Sequence, residues 1–305
     1  MATESGTDSR TQNSTEPQTP GISTSPTENT MSISDLLSEI DCKRESLRKY
    51  GNQLADAQRY HDAYSRLYNT FTSNAIEGNT FSLRDTKMWL EDGITVNGKT
   101  RNELYEVDGH AKAFDYMLAT AREMSIDDIS RDLLVIIQDL HREFYRMIDF
   151  RFAGVYRDQQ VRIVNASLLP PPPHKLLMMM DSFRSTFAEL KDSLHPVILA
   201  AYAHLRLVRI HPFIDGNGRT SRLLMNLILV NRGYQIINIE PGDRSTYFNA
   251  LDLAHLQETT DDNYISDNRF LSFIARLELE ELKRTIELFE DVSQSPETPI
   301  PEKQP

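Results

Sequence analysis

Apolar residues recur along this chain at helical spacing for most of its length. From Met31 the run Leu36, Leu37, Ile40, Leu47 and Leu54 keeps to intervals that stack one face of a helix, with Ser34 placed to cap its first turn. Similar stretches follow over 55–76, 82–91, 100–122, 127–148, 174–190, 195–210, 219–231, 243–257 and 267–292, separated by Gly, Pro, Asn and Asp. In the stretch from Arg219, Leu223, Leu224, Leu227, Ile228 and Val230 follow with hardly a polar interruption, which predicts a helix buried nearly all round. One segment breaks the period. Val161 to Val164 alternate, Asn165-Ala166-Ser167 can turn, and Leu168-Leu169 leads into Pro170 to Pro173, so a short β-hairpin ahead of a polyproline spacer is expected. Met178-Met179-Met180 reads as core filling. The pattern is all-α with one hairpin. It divides into a tail over 1–30, an N-terminal helical region over 31–125, a core over 126–292 and a second tail over 293–305.

Composition narrows the partners. A net charge of −12 over 305 residues argues against nucleic acid or an anionic membrane. With Cys42 as the single cysteine, no internal disulfide or cysteine metal cluster can form, which fits a reducing compartment. The first thirty residues are rich in Ser, Thr, Glu, Asn and Pro, unlike a secretory signal, and no apolar run approaches bilayer length. A soluble, cytoplasmic protein is the expectation.

The chemistry gathers in twelve residues, His211-Pro212-Phe213-Ile214-Asp215-Gly216-Asn217-Gly218-Arg219-Thr220-Ser221-Arg222. Pro212 steers His211 out of the α region and stops the incoming helix. Gly216, Asn217 and Gly218 allow tight backbone approach, Asn217 also suits an N-cap, and the helix N-terminus behind them suits phosphate. Arg219 and Arg222 share a helix face and can grip successive phosphates. Asp215 opposes anion binding unless it holds a cation, and magnesium takes one or two carboxylates together with phosphate oxygens. His211, with an ordinary pKa near 6.5, is a candidate general base. Any one of these residues alone fits a plain helix connection. All of them in this order point to a site that holds an anion and moves a proton.

A second cluster lies upstream. In Ser73-Asn74-Ala75-Ile76-Glu77-Gly78-Asn79, Ser73 and Glu77 are four apart on one face and Gly78 suits a left-handed helix cap. A carboxylate in a last helical turn faces the negative end of the dipole at a cost of up to about 1 kcal/mol, so Glu77 requires a cationic partner.

The twelve-residue stretch resembles the signature of the Fic family, His-Pro-Phe-x-Asp-Gly-Asn-Gly-Arg-x-x-Arg, at every defining position. Gly154-Val155-Tyr156-Arg157 with the following hairpin resembles that family's flap, and Arg244-x-x-Tyr247-x-x-Ala250-Leu251 its downstream helix. The resemblance implies an all-helical core, ATP beneath the flap, magnesium on Asp215, and transfer of AMP to a Ser, Thr or Tyr hydroxyl of a protein target bound along the flap. It makes His211 the base, Gly216 to Gly218 the phosphate turn, and Arg219 and Arg222 the holders of the remaining triphosphate. Ile163 would wall the adenine pocket, with Tyr247, Phe248 and His255 on the downstream helix; Phe248 and His255 stand where relatives carry Tyr and Asn, and the connection Gln257 to Asn268 looks long. Ser73 to Gly78 resembles the inhibitory motif of autoinhibited members, which implies that Glu77 pairs with Arg222 and blocks the γ-phosphate. Self-modification and homo-oligomerisation are further implied options. Two other functions stay open: removal of AMP with Glu77 positioning a water, and a nucleotide-sensing interaction module that catalyses little.

Overall fold

The computed structural model describes residues 31–49, 54–163, 169–258 and 269–294. Residues 1–30, 50–53, 295–305, the segment 164–168 where a turn is expected and the connection 259–268 lie outside the described residues, while Ser293 and Gln294, expected in the second tail, close the last helix. Among those described the fold is all-α: α1 (Ile33–Arg48), α2 (Leu54–Ile76), α3 (Leu83–Leu90), α4 (Arg101–Glu123), α5 (Ile126–Tyr145), α6 (Leu176–Leu190), α7 (Pro196–Ile210), α8 (Asn217–Asn231), α9 (Arg244–Glu258) and α10 (Arg269–Gln294). No helix among them is long and apolar enough to cross a membrane.

Local chemistry sets the helix starts. Ser82 and Thr100 form reciprocal capping boxes with Asp85 and Glu103, and Ser125 accepts from the Asp128 N–H. Pro196 occupies the first turn of α7, where its missing donor costs nothing, and the His195 ring accepts from the Val197 N–H. At α1 the cap is Ser32, whose hydroxyl accepts from the Asp35 N–H, and Ser34 is already inside the helix. Asp35 at the third helical position explains the choice, since a carboxylate there favours the N-terminus whose cap lies three residues earlier.

The expected hairpin is not seen. Val161 to Ile163 and Leu169-Pro170 have no regular structure, and 164–168 are outside the described residues. Alternating β-branched residues form a strand only where a second backbone can pair with them, and the following segment is proline, which has no N–H to give.

Helix α8 is the axis of the fold. Arg219 to Leu229 are all buried, and α7, α4 and α5 pack around it. The α4–α5 crossing is close enough to need a residue without a side chain: a Cβ on Gly109 would run into the backbone carbonyl of Phe144. This crossing brings Glu106 and Phe144 up to the N-terminal turn of α8, while the C-terminal end of α2 reaches it from another side.

Candidate active site

Helix α7 ends at Ile210, and His211 turns out of it in the left-handed region at φ 51°, ψ 57°, the only non-glycine among the described residues with positive φ. The sequence argument ended the helix at the right residue, but the conformation that satisfies both the helix end and Pro212 is left-handed, not extended. The His211 N–H still reaches the Leu207 carbonyl at 2.9 Å. Its ring Nδ1 lies 3.3 Å from the Val208 carbonyl, so Nδ1 carries the proton and Nε2 keeps its lone pair. Burial above all holds this imidazole down to about 4, against that hydrogen bond, which favours the protonated ring. A neutral base is therefore present throughout the physiological range.

The loop behind His211 is tied internally. Asn217 bridges it, accepting from the Phe213 N–H at 2.9 Å and donating to the Phe213 carbonyl at 2.9 Å. That side chain closes the loop and does not cap the helix; the cap position is Gly216, at φ 75°. With no side chain over the helix end, the first N–H groups of α8 are left for a ligand. Below the loop, His141 stacks on Phe213 at a centroid distance of 3.8 Å. It accepts from the Gly154 N–H at 2.9 Å and donates to the Asp215 carbonyl at 3.0 Å. Arg157 fixes the other side, donating through Nε to the His211 carbonyl at 2.8 Å and through Nη2 to the Pro171 carbonyl at 2.6 Å. It thereby joins the loop to the proline segment.

Both arginines of the stretch are engaged. Arg222 donates to Ser73 Oγ at 3.0 Å, to the Ser73 carbonyl at 2.9 Å and to Glu77 Oε1 at 2.8 Å. Burial would raise the Glu77 carboxyl, but the Arg222 and Arg219 guanidiniums outweigh it and hold the group below the ordinary carboxylate range. Gly218 makes the approach possible, because a Cβ there would run into the Glu77 carboxylate. Arg219 lies over the Phe144 ring at 4.4 Å, 3.1 Å from Glu106 and 3.7 Å from Asp215.

Asp215 remains largely exposed, with its side chain 62 % accessible. Among the described residues no cluster of three or more His, Cys, Asp or Glu could hold a metal. A single open carboxylate beside a helix N-terminus fits magnesium that takes its other ligands from phosphate and water, and does not fit an ion held by protein alone.

A partly open cavity beside the loop is lined by Ile163, Leu169, Pro170, Val208, Arg209, Phe248, Leu251, Asp252 and His255. Three of the four residues expected at the base are here. The fourth is not: Tyr247 is buried on the other side of α9, its hydroxyl 3.4 Å from Arg222 Nη1 and 2.9 Å from His204 Nε2. Tyr247 projects about 100° round α9 from Phe248, onto the face that packs against Arg222 and His204. Sequence reading also missed Asn74, Glu106, His141 and Arg157 in their contacts with the loop. None carries a local signal, because each acts across more than fifty residues.

Residues 130–229 match the Fic/DOC family. Over 220 residues, 72 % of this chain, the sequence is 38 % identical to the protein adenylyltransferase Fic of Drosophila persimilis and 37 % identical to that of Drosophila melanogaster. The chain belongs to the Fic/DOC family. It spans only 42 % and 43 % of the length of those two relatives. The Fic fold is shared with a Fic domain containing signaling protein from Bacteroides thetaiotaomicron, at TM-score 0.70 and 25 % identity, covering 84 % of this chain and 97 % of that one. It is shared too with Fic-1 of C. elegans, residues 134–508, at TM-score 0.67 and 27 % identity, covering 83 % and 70 %. In this Fic chain the family match contains α7, the loop and α8 as far as Leu229, but Ser73, Glu77 and Glu106 lie upstream of it.

Proposed function

We propose that this protein transfers AMP from ATP to a hydroxyl of a protein target, and that Glu77 holds the reaction off. The observation that carries the reading is a neutral His211, with Nε2 unprotonated, beside an uncapped helix N-terminus with two arginines on its first turns. His211 takes the proton from the acceptor hydroxyl as its oxygen bonds to the α-phosphorus and the bond to pyrophosphate breaks. Gly216 to Gly218 and the α8 N–H groups hold phosphate oxygens, with Arg219 and Arg222 on the rest of the triphosphate. Asp215 would hold magnesium, which would supply charge cancellation at the triphosphate. The cavity at Ile163, Phe248 and His255 takes the base.

Glu77 supports the inhibitory part of the reading. Its ion pair occupies the donor that Arg222 would offer a phosphate, and its charge repels one. Removing it should free both. The test is Glu77→Gly incubated with ATP, magnesium and a host lysate, read by mass spectrometry of the lysate and of the chain itself. A mass gain of one AMP on a Ser, Thr or Tyr, lost again in Glu77→Gly with His211→Ala, is expected; absence of any gain would sink the proposal.

The same ionised carboxylate motivates a second reading, in which Glu77 positions a water that removes AMP from a modified protein. Wild type, and not Glu77→Gly, would then release AMP from such a substrate.

A further inference from the structure

Glu106 lies outside the twelve-residue stretch, outside the Ser73–Gly78 cluster and outside the family match. It sits on α4, one turn beyond Glu103 of the capping box, with a side chain 23 % exposed. Its two oxygens serve two different elements. Oε1 faces Arg219 Nη1 at 3.1 Å, and Oε2 accepts from Asn79 Nδ2 at 2.8 Å.

Asn79 belongs to the turn that follows Glu77 and Gly78. It is buried, its N–H donates to the Asn74 carbonyl at 3.1 Å, and its own amide also donates to the Glu103 carbonyl at 3.1 Å. Asn74 reaches the same arginine: its Oδ1 is 3.4 Å from Arg219 Nη1, while its Nδ2 donates to the Glu106 carbonyl at 3.4 Å. Arg219 therefore has Phe144 beneath its plane, with Glu106 and Asn74 on Nη1. Only Nη2 and Nε stay without those partners. Nη2 faces the Asp215 side, where phosphate is expected, and Nε is buried without a hydrogen bond.

We propose that Glu106 is a positioning residue: it turns the Arg219 fork so that Nη2 faces the nucleotide, and through Asn79 it anchors the turn that carries Glu77. The proposal rests on the loop being a nucleotide site. Anion binding at Arg219 needs the guanidinium held in one orientation before phosphate arrives, since an arginine side chain free to rotate loses that freedom on binding. The same carboxylate makes the Glu77 turn rigid. Glu77 then releases Arg222 by moving its side chain, with the backbone of the turn kept in place.

The two halves separate by mutation. Glu106→Gln keeps the shape but loses the charge that holds Arg219, whereas Asn79→Ala leaves that charge in place and cuts the turn's amide contacts to Glu106, to the Glu103 carbonyl and from the Phe81 N–H. ATP–magnesium binding by calorimetry and AMP incorporation at varied ATP are measured in the Glu77→Gly background, with far-UV circular dichroism as a folding control. Glu106→Gln should weaken ATP binding and raise KM about tenfold, the scale of one charge-assisted hydrogen bond, with Glu106→Asp restoring part of it. Asn79→Ala should leave ATP binding in that background unchanged, yet raise incorporation several-fold when Glu77 is present. Equal ATP affinity in Glu77→Gly with and without Glu106→Gln would overturn the positioning role, and unchanged incorporation in Asn79→Ala would overturn the anchor. If Glu77→Gly binds ATP but transfers nothing, the reaction proposed above fails while the affinities still decide for or against Glu106.

Discussion

Arg222 donates to Ser73 twice, through Nε to the hydroxyl at 3.0 Å and through Nη2 to the carbonyl at 2.9 Å. The arginine is thus held to the end of α2 before Glu77 is counted. Ser73→Ala removes the hydroxyl and leaves a buried guanidinium donor without its partner. It should cost about 1–3 kcal/mol of stability. Incorporation of AMP should rise, but less than in Glu77→Gly, because the carboxylate stays. Thermal melting and labelled-ATP incorporation on the two variants check the order; equal activation in both would place the lock on Ser73 instead.

Substitution of His211 in the freed enzyme should be far more damaging than any change at the lock. Glu77→Gly with His211→Ala is expected to lose roughly 10² to 10⁴-fold in rate relative to Glu77→Gly, the usual range for a general base. Binding of ATP should persist, since the phosphate contacts proposed above lie on α8. A loss under tenfold would mean that another group takes the proton.

The pH behaviour follows from burial. Since His211 is held down to about 4, the freed enzyme should keep its rate as pH falls through 6.5, where an exposed histidine would be half protonated. A half-maximal rate at about 6.5 would contradict this environment. Stability runs the other way over the same interval. Burial depresses His141 to about 3 and His255 to about 4, and holds His110 and His204 well below the ordinary value. A depressed folded value means the unfolded chain binds protons first, so the contribution is complete above about 6.5 and is lost as pH falls through the folded values. Denaturant midpoints should decline steadily from about pH 6.5 to 4.

Much of this fold was legible because helical periodicity and capping residues are local. The starts of α3, α4 and α7 follow from Ser82, Thr100 and Pro196 alone. The loop chemistry was legible for a related reason, since twelve consecutive residues contain a base, a turn and two cations. What stayed hidden depends on distant contact. Nothing near Asn217 reveals that its amide spans Phe213, nothing near Tyr247 reveals that it sits under Arg222, and the alternation at Val161–Ile163 forms no strand among the described residues.

Glu278 offers a test away from the site. It is fully buried on α10, with Oε1 accepting from the Gln235 N–H at 2.9 Å and Oε2 without a partner. Burial pushes its carboxyl up to about 8. A raised acid contributes stability that is complete below its unfolded value and is lost as pH rises through the folded one. Glu278→Gln keeps the acceptor and cannot ionise. Its advantage over wild type should appear above about pH 5 and level off beyond 8, growing by about 1.4 kcal/mol for each pH unit between, to about 5 kcal/mol in denaturant titrations. A difference independent of pH would show that the carboxyl titrates alike in the folded and unfolded states.

Gly109→Ala should be among the most damaging single changes. The added methyl meets backbone, which cannot rotate aside, so α4 and α5 must separate at the crossing that supports Arg219. A loss of about 3 kcal/mol or more is expected, at the upper end for overpacking. A melting point within a degree or two of wild type would show that the crossing can slide.

The left-handed turn at His211 has a consequence for the protein's history. A branched or bulky residue there would be penalised by about 1–2 kcal/mol, while asparagine or glycine would sit with less strain. The backbone that aims the imidazole thus favours, on its own terms, residues unable to do the chemistry. An inactive His211→Asn chain should melt no lower than the wild type, so robustness of the fold cannot be what keeps a histidine at this position; only use can.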